Sequence, residues 1–312
     1  MMVLFDLNHV AYRCLFAIQK DIPTVGWNYF KHAMFNTIFN LCRKFDAEEV
    51  YLMVDSKENW RKKFFAEYKE TRKEKREKQE DIDWNAFFNA FNEFVIEVQQ
   101  YFPFYVLRIK YLEADDIAGI MAKEYQHKKK TIITSDGDYL QLLRYKNVQL
   151  YDPIKNKFMK CDDPVRELKI KILMGDRGDN IPSIKARVGE VTATKLVDNP
   201  DELKKIFEDT TVSYTKPNGQ TVSLGDKAKE RYKTNLVLID LSKTPEVLVK
   251  NVRKVLAEYQ LPTGKEIFQY FTHNKFRDLI RRMEELDQII LRIHGAKDKT
   301  VHAQAGDLSD LF

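Results

Sequence analysis

Short apolar runs alternate along this chain with longer amphipathic stretches. Residues 3–5, 50–54, 105–109, 131–133 and 148–151 are rich in β-branched and aromatic side chains, which predicts buried strands. Between them, Phe30, Ala33, Met34, Thr37, Ile38 and Leu41 recur at helical offsets, and Trp84, Phe87, Phe88, Phe91, Phe94, Val95 and Val98 repeat the stripe. No glycine or proline falls between Trp27 and Phe102, so this periodicity alone parses the segment. The order β-α-β-α-β-α-β implies an α/β fold with a largely parallel central sheet flanked by helices and ligands outside the carboxyl ends of the strands. That domain is expected over residues 1–159. Beyond Asp152 and Pro153, Lys-rich amphipathic pieces separated by small turns predict a smaller helical domain over 160–245. C-terminal helices over 246–295 and a flexible polar tail over 296–312 follow.

With 312 residues and 44% hydrophobic positions the chain can build a packed core, which excludes wholesale disorder. Cys14, Cys42 and Cys161 are odd in number and widely spaced, fitting neither a disulfide framework nor a zinc site. Asp6 interrupts the first apolar stretch and no long apolar run follows, so neither a signal peptide nor a membrane span is expected. A cytoplasmic location is the corresponding expectation, in the host cell if the gene is a phage's.

Charge changes the picture more than composition does. The net charge is +5, and residues 61–78 alone hold nine basic and four acidic side chains, so one segment carries the whole excess. The carboxylates follow a second pattern. Asp6 follows the first strand, Asp55 the second, Glu113, Asp115 and Asp116 the third, and Asp136 and Asp138 the fourth. In a parallel sheet these ends share one edge, and such crowding raises each carboxyl's pKa unless cations offset it. An Asp after a strand is also an ordinary helix N-cap, and Asp136-Gly137-Asp138 an ordinary turn; the coincidence of four strand ends is what favours a site. With oxygen donors only, Mg²⁺ or Mn²⁺ fits better than Zn²⁺, and paired ions roughly 4 Å apart would suit phosphodiester hydrolysis.

Within the basic run, Trp60, Phe64, Phe65 and Tyr68 interleave with Arg61, Lys62, Lys63, Lys69, Arg72, Lys73, Lys75, Arg76 and Lys78. Basic groups neutralise phosphates and aromatic faces stack bases, although a solvated helix face has the same composition. In the smaller domain, Gly175 to Asn180 adds Asp176 and Asp179, and the turn at Gly189 opens a helix whose free N–H groups suit a phosphate. The Arg177-Gly178-Asp179 tripeptide carries no adhesion signal in a chain without secretion features.

Taken in order, Glu113-Ala114-Asp115-Asp116, Ser135-Asp136-Gly137-Asp138, Tyr68-Lys69 with Arg72, and Gly175-Asp176 with Asp179-Asn180 resemble the flap endonuclease and 5′-nuclease family, within it the ribonuclease H branch of T-even-type phages. Tyr12-Arg13 and residues 235–240 add to the resemblance, which covers residues 3 to about 245. It implies that Asp6, Asp55, Glu113, Asp115, Asp116, Asp136, Asp138, Asp176 and Asp179 form an acidic metal centre, with Asp136 central to catalysis. It implies that Lys69 and Arg72 contact the scissile phosphate at the base of a helical arch over residues 57–82. Lys73, Lys75 and Arg76 would then line the arch, and Tyr12 and Arg13 would meet the terminal nucleotides. Arg187, Gly189 and Thr192 would belong to a helix-three-turn-helix element that grips duplex and holds a monovalent cation. Family members usually have glycine where this chain has Arg187, a departure that bears on the cation site.

The implied activity is a metal-dependent 5′ to 3′ exonuclease and flap endonuclease removing RNA primers and 5′ flaps in DNA replication, acting as a monomer on DNA and RNA–DNA duplexes. Leu308, Leu311 and Phe312 resemble a sliding-clamp-binding peptide, and a single-strand-binding protein is a further implied partner. A PIN-type single-stranded ribonuclease and a non-catalytic branched-DNA-binding module are the rival readings.

Overall fold

The computed structural model describes residues 1–72, 76, 78–79, 81–216 and 218–306, with side chains to residue 295. The chain runs β1 (Met2–Asp6), α1 (Leu7–Ile18), α2 (Trp27–Lys44), β2 (Glu49–Met53), α3 (Trp60–Phe64), α4 (Trp84–Tyr101), β3 (Tyr105–Leu107), α5 (Ala114–Glu124) and β4 (Lys130–Ile133). A 3₁₀ segment (Gly137–Arg144), β5 (Val148–Asp152) and β6 (Lys157–Met159) complete the sheet region. Then come α6 (Pro164–Met174), α7 (Glu190–Asp198), α8 (Pro200–Glu208), a β7–β8 hairpin (Ser213–Thr215 and Thr221–Ser223), α9 (Leu224–Ile239), α10 (Glu246–Glu258), α11 (Ile267–His273), α12 (Arg277–Arg281) and α13 (Met283–Gly306).

The sheet order is β3-β2-β1-β4-β5-β6, parallel except for the antiparallel edge strand β6. β1 is central and fully buried, and its alternation sends Val3 and Phe5 to one face and Met2 and Leu4 to the other. The first face is covered by α1, α2 and α4 together with α11–α13, around an aromatic cluster in which Phe35 lies 4.8 Å from Phe94 and 4.7 Å from Phe102, centroid to centroid. The second is covered by α5, the 3₁₀ segment and α10. Chain direction across the sheet reverses at β1, between β2 and β4, which opens a crevice at their carboxyl ends.

Three features differ from the pattern-based expectation. The short exposed strand β6 has too few residues to show alternation. The smaller domain is not wholly helical, because Ser213–Thr215 and Thr221–Ser223 pair as an antiparallel hairpin, with Gly219 at φ +81° between them. The last helix continues to Gly306, through part of the stretch expected to be a flexible tail, in a segment free of proline and rich in good helix formers. Leu308, Leu311 and Phe312 lie outside the described residues.

The loop after α6 is the tightest point of the smaller domain. Gly175 ends α6 at φ +72°, and a Cβ there would sit 2.4 Å from the Ile181 carbonyl oxygen and 2.6 Å from Pro182 backbone atoms. Asn235 of α9 braces the same turn, its side-chain amide donating to the carbonyls of Ile172 (2.9 Å) and Pro182 (2.8 Å). Because Asp176 and Asp179 ride on this loop, its shape is coupled to the acidic cleft. Gly175→Ala should therefore lower the unfolding free energy by about 2 kcal/mol or more in urea titration; an unchanged midpoint would show that the loop relaxes freely.

Candidate active site

The carboxylates are aimed by the caps that start the neighbouring helices. Asp6, the last residue of β1, accepts the His9 N–H at 3.0 Å through Oδ1 and the Thr134 hydroxyl at 3.3 Å through Oδ2. Asp136 caps the 3₁₀ segment by accepting the Asp138 N–H at 2.9 Å. Asp55 accepts the Ala114 N–H at 2.9 Å, and its own N–H is held by Asn8 Oδ1 at the same distance. Glu113 and Asp116 form a reciprocal capping box at the start of α5. Capping and site-building are thus done by the same residues.

Asp6, Asp55, Glu113, Asp115 and Asp136 line one cavity of about 130 Å³ together with Lys69, Arg72 and Tyr12. Asp138, Asp176 and Asp179 form a second group, with one oxygen of each within 4.8 Å of the others. Eight of the nine expected acidic residues are therefore gathered at these two places. Asp116, the ninth, has an oxygen within 4.8 Å of oxygens of Glu113 and Asp115, a further group that could hold an ion, but it does not line the cavity. It is fully buried, and Arg61 (2.9 Å), Trp60 Nε1 (3.2 Å), the Glu113 N–H (3.0 Å) and the Thr244 hydroxyl (3.0 Å) occupy its oxygens, so it holds the site rather than facing it.

Electrostatics follow from the crowding. Burial, with Asp136 adding repulsion, raises Asp6 from 3.8 to about 6. Burial, with Glu113 and Asp6 adding repulsion, raises Asp55 to about 7. Burial also lifts Asp115 well above the usual carboxylate range, against the pull of Arg61. Glu113 goes the other way: burial would raise it, but Lys69 (2.5 Å), Arg61 (3.3 Å) and Tyr68 bring it down to about 2.

The basic run is divided by its environment. Arg61 is 1% exposed, paired with Asp116 and Glu113 and donating to the Leu238 carbonyl of α9 at 2.8 Å. Trp60 and Tyr68 are buried as well, and the Tyr68 hydroxyl lies 2.9 Å from Glu113 Oε2 and 3.2 Å from Asp179 Oδ2. These three therefore are not free to meet phosphates or bases, which corrects the reading of the whole run as a contact surface. Lys69 and Arg72 do reach the cavity, Arg72 pairing with Asp179 at 2.5 Å. Arg76 lies over Phe88 at 5.5 Å, and Lys73 and Lys75 lie outside the described residues. Tyr12 packs on Phe87 (5.4 Å), while Arg13 is half-buried beside Thr37. Arg187 is exposed at φ +66°, keeping the left-handed backbone a glycine would adopt, and the Thr192 hydroxyl donates to its carbonyl at 3.4 Å beside Gly189, which caps α7. Pattern reading missed the supporting roles of Asn8, Thr134, Tyr139 and Lys171, which carry no spacing signal of their own.

A parallel sheet with this strand-end acid cluster and a clamped basic strap defines a nuclease. Residues 1–169 match the family model for the 5′-3′ exonuclease N-terminal resolvase-like domain, and residues 164–286 match that for the C-terminal region of T4 RNase H. The chain belongs to the 5′-3′ exonuclease family, whose members hydrolyse phosphodiester bonds. It is 28% identical over 291 residues to the ribonuclease H of Enterobacteria phage T4, covering 90% of this chain and 94% of that one. It is 29% identical over 233 residues to DNA polymerase I of Caldicellulosiruptor bescii, covering 66% of this chain but 25% of the polymerase. The bacteriophage T5 flap endonuclease, solved in a pseudo-enzyme–product complex with DNA and metal ions, shares the fold with a TM-score of 0.64 at 20% identity, over 82% of this chain and 98% of that one.

The raised carboxyls have a sign that can be tested. A group whose pKa is higher folded than unfolded favours the fold at low pH and loses that contribution as pH rises through the folded value. Asp6 and Asp55 should thus cost the chelated protein stability between pH 4 and 7. Asp55→Asn, which keeps the oxygen that accepts from Ala114, should stabilise the chelated protein at pH 8 by about 1–3 kcal/mol and change little at pH 4. A lower melting temperature for the variant at pH 8 would contradict the cost of burying this charge beside Glu113 and Asp6.

Proposed function

We propose that this chain is a Mg²⁺-dependent 5′ to 3′ exonuclease and flap endonuclease that removes RNA primers and 5′ flaps during DNA replication. The observation that carries the reading is the gathering of carboxylates from four strand ends and the α6 loop into two neighbouring groups, bridged by Lys69 and Arg72. The donor set fits hard divalent cations: it is all oxygen, Asp6 and Asp55 are held in a state that positive charge would relieve, and Asp115 Oδ1 is buried with no hydrogen-bond partner among the described residues, Arg61 standing 4.0 Å away. Asp6, Asp55, Glu113, Asp115 and Asp136 would hold one ion and Asp138, Asp176 and Asp179 another, with Mn²⁺ able to substitute. Bound divalent cations supply a water of lowered pKa and offset charge on the phosphate.

The protein's own side chains do the rest. Lys69 and Arg72, now paired with carboxylates, are placed to turn to the scissile phosphate as negative charge develops there. Tyr12, held on Phe87 and Trp84 at the cavity rim, offers an aromatic face to a terminal base. Arg13 and Arg76, with Lys73 and Lys75 of the same basic run, would supply positive charge to the single strand. Gly189 and Thr192 would bind the duplex backbone, with a monovalent cation at the turn before α7. Arg187 remains in a conformation that costs about 1 kcal/mol, which supports a direct phosphate contact by its side chain. A monomer working in the cytoplasm, with a sliding clamp engaging Leu308, Leu311 and Phe312 and a single-strand-binding protein nearby, completes the proposal.

Cleavage of a 5′ flap, a 3′ flap and single-stranded RNA, with Mg²⁺ and with chelator, tests the reading. Mg²⁺-dependent preference for the 5′ flap is expected, and preference for either other substrate would replace it with a different nuclease class. Asp136→Asn should keep flap binding and lose more than about 100-fold in cleavage rate; full activity in this variant would remove Asp136 from the mechanism. Arg187→Gly should raise stability by about 1 kcal/mol while weakening duplex binding and reducing the salt slope by about 0.9. Unchanged binding would leave Arg187 without a role at the duplex.

A further inference from the structure

The second carboxylate group already contains a cation of the protein's own. Lys171, on α6, donates from Nζ to Asp138 Oδ1 and lies 3.0 Å from Asp176 Oδ2. Among the described residues no other basic side chain pairs with Asp138 or Asp176, whereas Asp179 is taken by Arg72 and, at 3.7 Å, by Lys69. The ammonium therefore stands between two of the three acids whose oxygens approach within 4.8 Å of one another. Its position is imposed by a rigid element: Ile170, Ile172 and Leu173 of α6 are buried in the smaller domain, and Asn235 fixes the turn that follows.

We propose that Lys171 is an internal counter-cation of this group, holding Asp138 and Asp176 together until a divalent ion arrives and competing with that ion for their oxygens. The proposal rests on the two-ion reading above. An ammonium and a divalent ion held by the same carboxylate oxygens repel each other at contact distance, so binding of the ion is favoured when the ammonium leaves. Its way out is open. Lys171 also lines the broad cleft of about 840 Å³ that extends from Gly137 to Val188 and Gly189, on the side where the turn before α7 would hold a nucleic-acid backbone. A compact ammonium on a flexible stem can exchange a carboxylate for a phosphate there. Occupancy of the second ion site and substrate binding are thereby coupled: substrate phosphate stabilises the displaced lysine, and the displaced lysine vacates the carboxylates. The second ion should bind more weakly than the first in the free protein and tighten when duplex is present.

Calorimetric and paramagnetic titration of the full chain with Mn²⁺ tests this without reference to cleavage. Wild type should bind one tighter and one weaker ion, and Asp176→Asn should remove the weaker one. Lys171→Met should tighten the weaker ion by about tenfold or more, leave the tighter one within about twofold, and erase the gain that a duplex with a blocked 5′ end gives wild type. Lys171→Gln, which keeps a polar end, serves if the Met variant folds poorly and should shift affinity in the same direction. Equal or weaker binding of the second ion in both variants, with two ions still bound by wild type, would overturn the role of Lys171 alone. A single ion in wild type and in both variants would overturn the two-ion reading and this proposal together, whereas one ion in wild type and two in a Lys171 variant would support the competition directly.

Discussion

The cost of holding closely spaced carboxylates in a buried cleft, burial first and mutual repulsion second, is the constraint to which the rest of this structure answers. Asp6, Asp55 and Asp115 are buried in conditions that oppose their ionisation, and their shifts to higher pKa express that cost. The other carboxylates have basic groups set against them: Arg61 against Asp116, Lys69 against Glu113, Arg72 against Asp179, and Lys171 against Asp138 and Asp176, whereas Asp6, Asp55 and Asp136 have no such partner among the described residues. These partners differ in kind. Arg61 is sealed in the interior with its hydrogen bonds satisfied, so its removal would leave buried charge unpaired. Lys69, Arg72 and Lys171 border open space and can change partner.

The same constraint explains why helix caps and site residues coincide. A carboxylate that accepts backbone N–H groups at a helix start is fixed in direction and partly compensated in charge. Asp6, Asp136 and the Glu113–Asp116 pair are all held in this way, so the loops at the sheet edge order themselves before any ligand is present. The choice between cap and functional residue, open at each position on local grounds, dissolves because one oxygen can cap while the other faces the cleft.

Architecture supplies the remaining alignment. Reversal of strand order at β1 brings the ends of β1, β2, β3 and β4 to one crevice. The smaller domain is tied to it by polar contacts, Arg61 to the Leu238 carbonyl, Gln141 to the Ile239 carbonyl and the Leu241 N–H, and Thr244 to Asp116, and by apolar packing of Leu238 and Ile239 with Tyr68 and of Leu241 in the cluster beneath α5. Asp176 and Asp179 are thereby delivered from a different part of the chain to the same basin.

Much of this was legible in the sequence. Periodicity located the five parallel strands and the long helices because each buries a regular face, and the strand-end position of Asp6, Asp55, Glu113, Asp115 and Asp136 followed from strand direction. Sequence also localised the excess charge to residues 61–78, but not its division into a buried part and a reaching part, since Arg61 and Lys69 have the same formal charge and similar neighbours. Only tertiary structure decided that Trp60, Arg61 and Tyr68 turn inward, that Asp116 is a brace, and that Lys171 lies between Asp138 and Asp176. The reason is physical: a strand or helix announces itself through a repeat of local spacing, whereas the partner of a buried charge is set by where distant segments cross.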